Sequence, residues 1–135
     1  MKTLLPEGWP RPSGYSNGIL AEGRMIFVAG QIGWNSHGVF EHKDLVGQFR
    51  AAMENTIAIL KAGGGAPGDV VRMTWYITDR DDYIAHLKDI GQIWRELMGK
   101  NYPAMACVVV AALIEGDAKI EIETTAVLEN GDVSS

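Results

Sequence analysis

Lys119-Ile120-Glu121-Ile122-Glu123-Thr124 alternates between β-branched and charged side chains. This is the two-residue period of a strand with unlike faces: Ile120, Ile122 and Thr124 point one way, Glu121 and Glu123 the other. The isoleucines need an apolar cover, and two helical stripes elsewhere in the chain supply it. From Asp44, placed as N-cap, the residues Leu45, Phe49, Ala52, Met53, Ile57 and Leu60 recur at helical spacing until Gly63-Gly64-Gly65 stops the helix. A second stripe, Tyr83, Leu87, Ile90, Trp94 and Met98, is opened by Asp79, Asp81 and Asp82 and closed at Gly99.

Between the stripes, residues 70–78 alternate, with Val71, Met73, Trp75 and Ile77 on one face and Arg72, Thr74 and Tyr76 on the other. Upstream, the apolar runs 18–21 and 25–29 flank Glu22-Gly23-Arg24, which predicts a β-hairpin. Downstream, Glu115-Gly116-Asp117 separates runs 104–112 and 118–128 and predicts another. The order is β-β-α-β-α-β-β, an α/β (α+β) class with a five-stranded sheet and two helices on one face. Pro6, Pro10 and Pro12 mark residues 1–13 as an irregular arm, residues 14–129 read as one domain, and residues 130–135 as a frayed tail.

Two helices cover one face of such a sheet. Val108-Val109-Val110 and residues 25–28 place apolar side chains on both faces, so self-association through the helix-free face is expected. The formal net charge of −5, with no run of Lys or Arg, argues against nucleic acid as a partner. The apolar stretch 105–114 is too short to span a bilayer, and residues 1–14 lack the order of a signal peptide; a cytoplasmic protein without a membrane partner is expected. The single cysteine, Cys107, has no disulfide or CxxC partner and reads as a packed, inert thiol.

Glu121 and Glu123 share a face, and if the isoleucines meet the helices, the glutamates lie toward the expected interface. Burial there makes a glutamate a usable proton-transfer group; the alternative is two solvated acids near a strand end. Same-strand neighbours do not face each other across a sugar, as glycosidase chemistry requires. His37, Glu41 and His42 fall in one loop without metal-ligand spacing, so no metal is expected, and His86 reads as a structural residue on the second helix. No GxSxG elbow appears, and the triple glycine follows a helix without a GK[ST], so it is no phosphate loop. Trp34, Trp75, Tyr76 and Tyr102 could line an aromatic pocket, with core packing the simpler role for Trp75.

Several segments together resemble the YjgF/RidA family of reactive intermediate deaminases. They are Gly14-Tyr15-Ser16; Val28-Ala29-Gly30-Gln31, with alanine where the family signature has serine; the helix from Gln48 through Asn55; Gly68-Asp69-Val70-Val71-Arg72 to Asp79; Pro103-Ala104-Met105, where members typically have Pro-Ala-Arg; and residues 119–123. The resemblance implies a chorismate-mutase-like fold, a homotrimer and ligand clefts between subunits. In deaminating members the arginine pairs with the carboxylate of an enamine or imine such as 2-aminoacrylate, and a glutamate matching Glu121 positions the attacking water. The products are a keto acid and ammonia, with no metal or organic cofactor. Here Met105 stands for the arginine, and Leu87 falls near the family's frequent asparagine. The predicted site therefore comprises Glu121 as the catalytic group and Tyr15, Ala29, Gly30, Trp34, Leu87, Met105 and Cys107 around a small-molecule ligand, with Lys100 or Arg24 as substitutes for the missing cation. Ordinary 2-aminoacrylate deamination is expected to be weak or absent. The chain reads either as an enzyme acting on an imine or enamine without that carboxylate anchor, or as a binding module without turnover. The acidic charge opposes the ribonuclease or translation-inhibitor label often attached to the family.

Overall fold

The computed structural model describes residues 1–129; the expected tail at 130–135 lies outside the described residues. The elements are β1 (Lys2–Leu4), β2 (Gly18–Leu20), β3 (Arg24–Ile32), α1 (Leu45–Ala62), a 3-10 turn (Pro67–Asp69), β4 (Val70–Ile77), α2 (Arg80–Ala85), α3 (Leu87–Met98), β5 (Ala104–Val109) and β6 (Ile120–Leu128). The main sheet has four strands in the order β3-β6-β4-β5, mixed in direction. β6 pairs antiparallel with both β3 and β4, and β5 runs parallel to β4.

The alternation of β6 decides which side is which. Ile120, Ile122, Thr124 and Ala126 are buried, and Ile122 lies opposite Trp75 of β4. Phe49 and Met53 of α1 and Ile90, Trp94 and Met98 of α3 close over them to form the core. The other face is free of helices. There Phe27 is 72% exposed and Met25 54%, with Val108 and the two glutamates on the same side, so apolar groups do occupy both sides of the sheet.

Both expected hairpins are corrected. β2 pairs with β1 in a separate two-stranded sheet, which also turns residues 2–4 of the expected irregular arm into a strand. β5 and β6 are not neighbours, because β6 inserts between β3 and β4 and leaves β5 at the edge. Glycine-centred turn signals report where the chain bends, not which strand it then meets. The parallel β4–β5 pair requires a crossover, and α2 and α3 provide it. The five-stranded sheet is accordingly four strands plus a two-stranded ribbon.

The second helix is broken at His86, whose backbone (φ −118°, ψ 18°) leaves the helical region. The Asp79 carboxylate caps α2 by accepting from the Asp82 N–H (3.0 Å), and His86 Nδ1 lies 2.8 Å from the Asp82 carbonyl and 3.0 Å from Asp82 Oδ1. A bulge at Val71 shifts the face of β4, so that Val70 takes the core position expected for Val71. As expected, α1 starts at Asp44, whose carboxylate accepts from the Gly47 N–H (2.9 Å), and α3 stops at Gly99 with φ +66°. No helix among the described residues is long and apolar enough to cross a membrane.

One polar side chain inside the core ties these parts together. Gln48, fully buried in the first turn of α1, donates from Nε2 to the carbonyls of His42 (3.1 Å) and Asp117 (2.9 Å) and accepts the Lys119 N–H at Oε1 (2.7 Å). Gly33 leaves the room for it: a side chain there would begin 2.6 Å from Gln48 Cα. Replacing Gln48 by leucine orphans three backbone groups and is expected to cost about 2–4 kcal/mol. Gly33→Ala, which meets backbone rather than a movable side-chain end, should also destabilise by at least about 1 kcal/mol. Urea unfolding of the two variants checks both values.

Candidate functional site

The sheet sorts the candidate residues into two groups. Met105 and Cys107 stand opposite Met73 and Trp75 in the parallel β4–β5 register and so face the helix side, where both pack against the core. α3 lies along that side and presents Leu87, Gly91 and Arg95 at four-residue spacing. The N-terminal segment is laid across the entrance by Ser16. Its N–H donates to the Pro103 carbonyl (3.0 Å) and its hydroxyl to the Tyr102 carbonyl (2.5 Å). That fixes Tyr15 at the mouth. The result is a cleft of about 560 Å³ in which Tyr15, Leu87, Met105 and Cys107 meet with Trp75, Tyr83, Trp94, Arg95 and Tyr102.

Its walls are aromatic. Trp75 packs against Trp94 (centroids 5.9 Å apart) and edge-on to Tyr83 (6.4 Å), while Tyr102 stacks on Trp94 (6.2 Å). Trp75 is 3% exposed and Trp94 5%, and neither buried indole Nε1–H has an acceptor among the described residues. Burial pushes the Tyr83 hydroxyl up to about 12, with the neighbouring Cys107 thiol adding to the shift. Burial likewise raises the thiol of Cys107, which stays protonated at neutral pH and is a poor nucleophile.

Ala29, Gly30 and Glu121 form the second group, on the helix-free face. Glu121 lies opposite Tyr76, whose hydroxyl donates to Glu123 Oε1 (2.5 Å), and that bond raises the tyrosine's pKa. β3 bulges between Val28 and Gln31, which brings Gly30 beside Glu121. A side chain on Gly30 would begin 2.0 Å from Glu121 Oε2, so the carboxylate occupies the space that this glycine leaves. The sheet separates Glu121 from Met105, which face opposite sides of it.

Trp34 joins neither group. It pairs with Phe40 in the loop after β3 (centroids 5.9 Å apart), and its carbonyl accepts from Asn55 Nδ2 (2.8 Å). Of the two cations considered as substitutes, Lys100 lines a neighbouring pocket against the N-terminal segment and Arg24 opens β3; neither lines the Met105 cleft. Arg95 does. The sequence contained a signal for it, because Leu87, Gly91 and Arg95 repeat at helical spacing, but a charge on an amphipathic helix reads first as a solvated face. Among the described residues, no group of three or more His, Cys, Asp and Glu is arranged to hold a metal ion.

With its thiol raised by burial, Cys107 should react with iodoacetamide at pH 7.5 roughly tenfold or more slowly than in the unfolded chain, the rate rising with pH as thiolate forms. Timed alkylation followed by mass spectrometry measures this.

A family model described as Endoribonuclease L-PSP matches residues 10–128. A RutC family protein of Pyrococcus horikoshii is 35% identical over 130 residues, covering 95% of this chain and 98% of its own length. The 2-iminobutanoate/2-iminopropanoate deaminase of Escherichia coli is 35% identical over 127 residues, covering 93% and 97%. Among solved structures, a Yersinia pestis protein of the conserved Rid family superposes with a TM-score of 0.83 at 32% identity, over 94% of this chain and 98% of that one. Sequence, fold and motif order agree, and the chain belongs to the YjgF/RidA/RutC family.

Proposed function

We propose that this protein hydrolyses the C=N bond of an imine, or of an enamine after tautomerisation, in a site completed when two copies of the chain meet. The observation that carries the reading is the Glu121 carboxylate seated in the space left by Gly30, on a face otherwise furnished with exposed Phe27 and Met25. Packing a second copy against that face, in a closed homotrimer, would bring one copy's Glu121 to the other copy's cleft. The kinship with an iminobutanoate/iminopropanoate deaminase supports the same chemistry.

Glu121 would accept a proton from water as the water oxygen bonds to the imine carbon and the C=N electron pair moves to nitrogen. The carbinolamine then collapses: Glu121 returns its proton to nitrogen, an oxygen lone pair forms the C=O as the C–N bond breaks, ammonia leaves, and the hydroxyl proton passes to solvent, replacing the one that protonated the imine. Imine plus water thus gives ketone plus ammonia, with no change of oxidation state. A protonated imine carbon is electrophilic enough for this without a metal or organic cofactor.

Met105 sets the limit on substrate. Without a cation on β5, a small substrate such as 2-aminoacrylate loses a charge-assisted bond worth about 1.5–3 kcal/mol, or roughly ten- to a hundredfold in binding. Ammonia release across a panel of imines and enamines should therefore be weak with 2-aminoacrylate. It should be abolished in Glu121→Ala and sharply reduced in Gly30→Ala, whose methyl would displace the carboxylate. Unchanged rates in both variants would remove Glu121 from the reaction. Met105→Arg should bring 2-aminoacrylate deamination up to a measurable rate.

A second reading is a non-catalytic binding module, favoured by the apolar Met105, Leu87 and Ala29 at positions where a ligand would be oriented. Thermal-shift hits that are never turned over would support it. The family model's endoribonuclease description is opposed in this chain by its formal net charge of −5, which repels a phosphate backbone.

A further inference from the structure

The helix-side cleft has three features that a small aliphatic substrate does not use, two of them in its size and walls. Its volume, about 560 Å³, falls in the range of pockets for multi-ring ligands. Five aromatic side chains line it: Tyr15, Trp75, Tyr83, Trp94 and Tyr102.

The third feature is a cation. Arg95 is exposed on α3 at the rim of the cleft, and its guanidinium turns back along the helix: Nη1 lies 3.4 Å from where a Gly91 side chain would begin. Among the described residues, nothing else stands within 4 Å of that position apart from Gly91's chain neighbours and the helix backbone, so the space between Leu87 and Arg95 is open. Among the described residues no carboxylate pairs with Arg95, whereas the adjacent Glu96 is engaged by Arg50 of α1 (2.8 Å). A guanidinium without a carboxylate partner among the described residues, beside an aromatic wall, suits a flat apolar group carrying an anion.

We infer that the cleft binds aromatic 2-oxo and 2-imino carboxylates, the ring lying among the tryptophans and tyrosines and the carboxylate held at the rim by Arg95. Arg95 thereby takes over, from a different element, the anchoring that Met105 cannot give, and it does so for ligands long enough to span from the aromatic wall to α3. The assignment of imino acids as substrates rests on the C=N hydrolysis proposed above; the binding of the corresponding oxo acids does not.

Calorimetric titration of the intact protein with phenylpyruvate, pyruvate and uncharged phenylacetone tests the binding. Phenylpyruvate should bind at least about tenfold more tightly than either. Arg95→Gln should weaken phenylpyruvate roughly ten- to a hundredfold and leave phenylacetone unchanged, and Arg95→Lys should recover part of the loss. Equal affinity for pyruvate and phenylpyruvate, or an Arg95→Gln variant that binds phenylpyruvate as the parent does, would overturn the inference. A parallel loss of phenylacetone binding would overturn the role of Arg95 as an anion anchor, since a merely structural residue affects both ligands. The imine of phenylalanine, generated in place by an amino-acid oxidase, separates this inference from the enzymatic reading. Arg95-dependent binding of phenylpyruvate without ammonia release above the spontaneous rate would sink the hydrolysis and keep the ligand class. Glu121-dependent hydrolysis of small imines without phenylpyruvate binding would do the reverse.

Discussion

Everything in this molecule depends on β6 being paired on both edges. A strand with neighbours on either side has its register fixed twice, by β3 and by β4, and a one-residue slip against either would turn Ile120 and Ile122 to the bare face and the glutamates into the core. That prohibition makes the sheet two-sided: one face closed by α1 and α3, the other carrying Glu121, Glu123 and a row of exposed apolar groups. Gln48 secures the entry of β6 by holding the backbone at Asp117 and Lys119, so the first turn of α1 and the start of the central strand are located together.

From this follows the division of the candidate site. Met105 and Cys107 sit on the side to which β5 turns its odd-numbered residues, beneath α3 and the Tyr15 segment, while Glu121 sits beyond β4 on the opposite face. The carboxylate and the cleft thus share a sheet but not a side. The bulge at Ala29 and Gly30 and the crossing of Ser16 over Tyr102 and Pro103 are local departures from regular structure, and each lies next to one of these two groups of residues.

What the sequence disclosed follows the reach of its signals. Periods of two and 3.6 residues are local, and they located α1, β4, β5 and β6 to within a few residues; the motif order disclosed the family. Pairing is not local: Glu22-Gly23-Arg24 and Glu115-Gly116-Asp117 announce bends, but nothing near them says that β2 turns back to β1 or that β6 passes β5 to reach the centre. Tyr15 and Met105 stand at motif positions and Leu87 near one, and with Cys107 they line a single cleft. Trp34 was drawn in by its aromatic character, yet it packs on Phe40 to hold its own loop. Arg95 and Gln48 went unread for one reason: a polar residue in an amphipathic helix looks the same whether it meets water, a ligand or a buried carbonyl.

The alternation along β4 and β5 has a consequence for how such a protein diverges. Neighbouring positions in these strands face different surroundings, Met105 and Cys107 toward the aromatic cleft, Ala106 and Val108 toward the bare face. Drift at the odd positions can reshape what the cleft admits while the even positions keep the surface on the other side unchanged. A change of side chain at a position such as Met105 can therefore be absorbed without redesigning the fold.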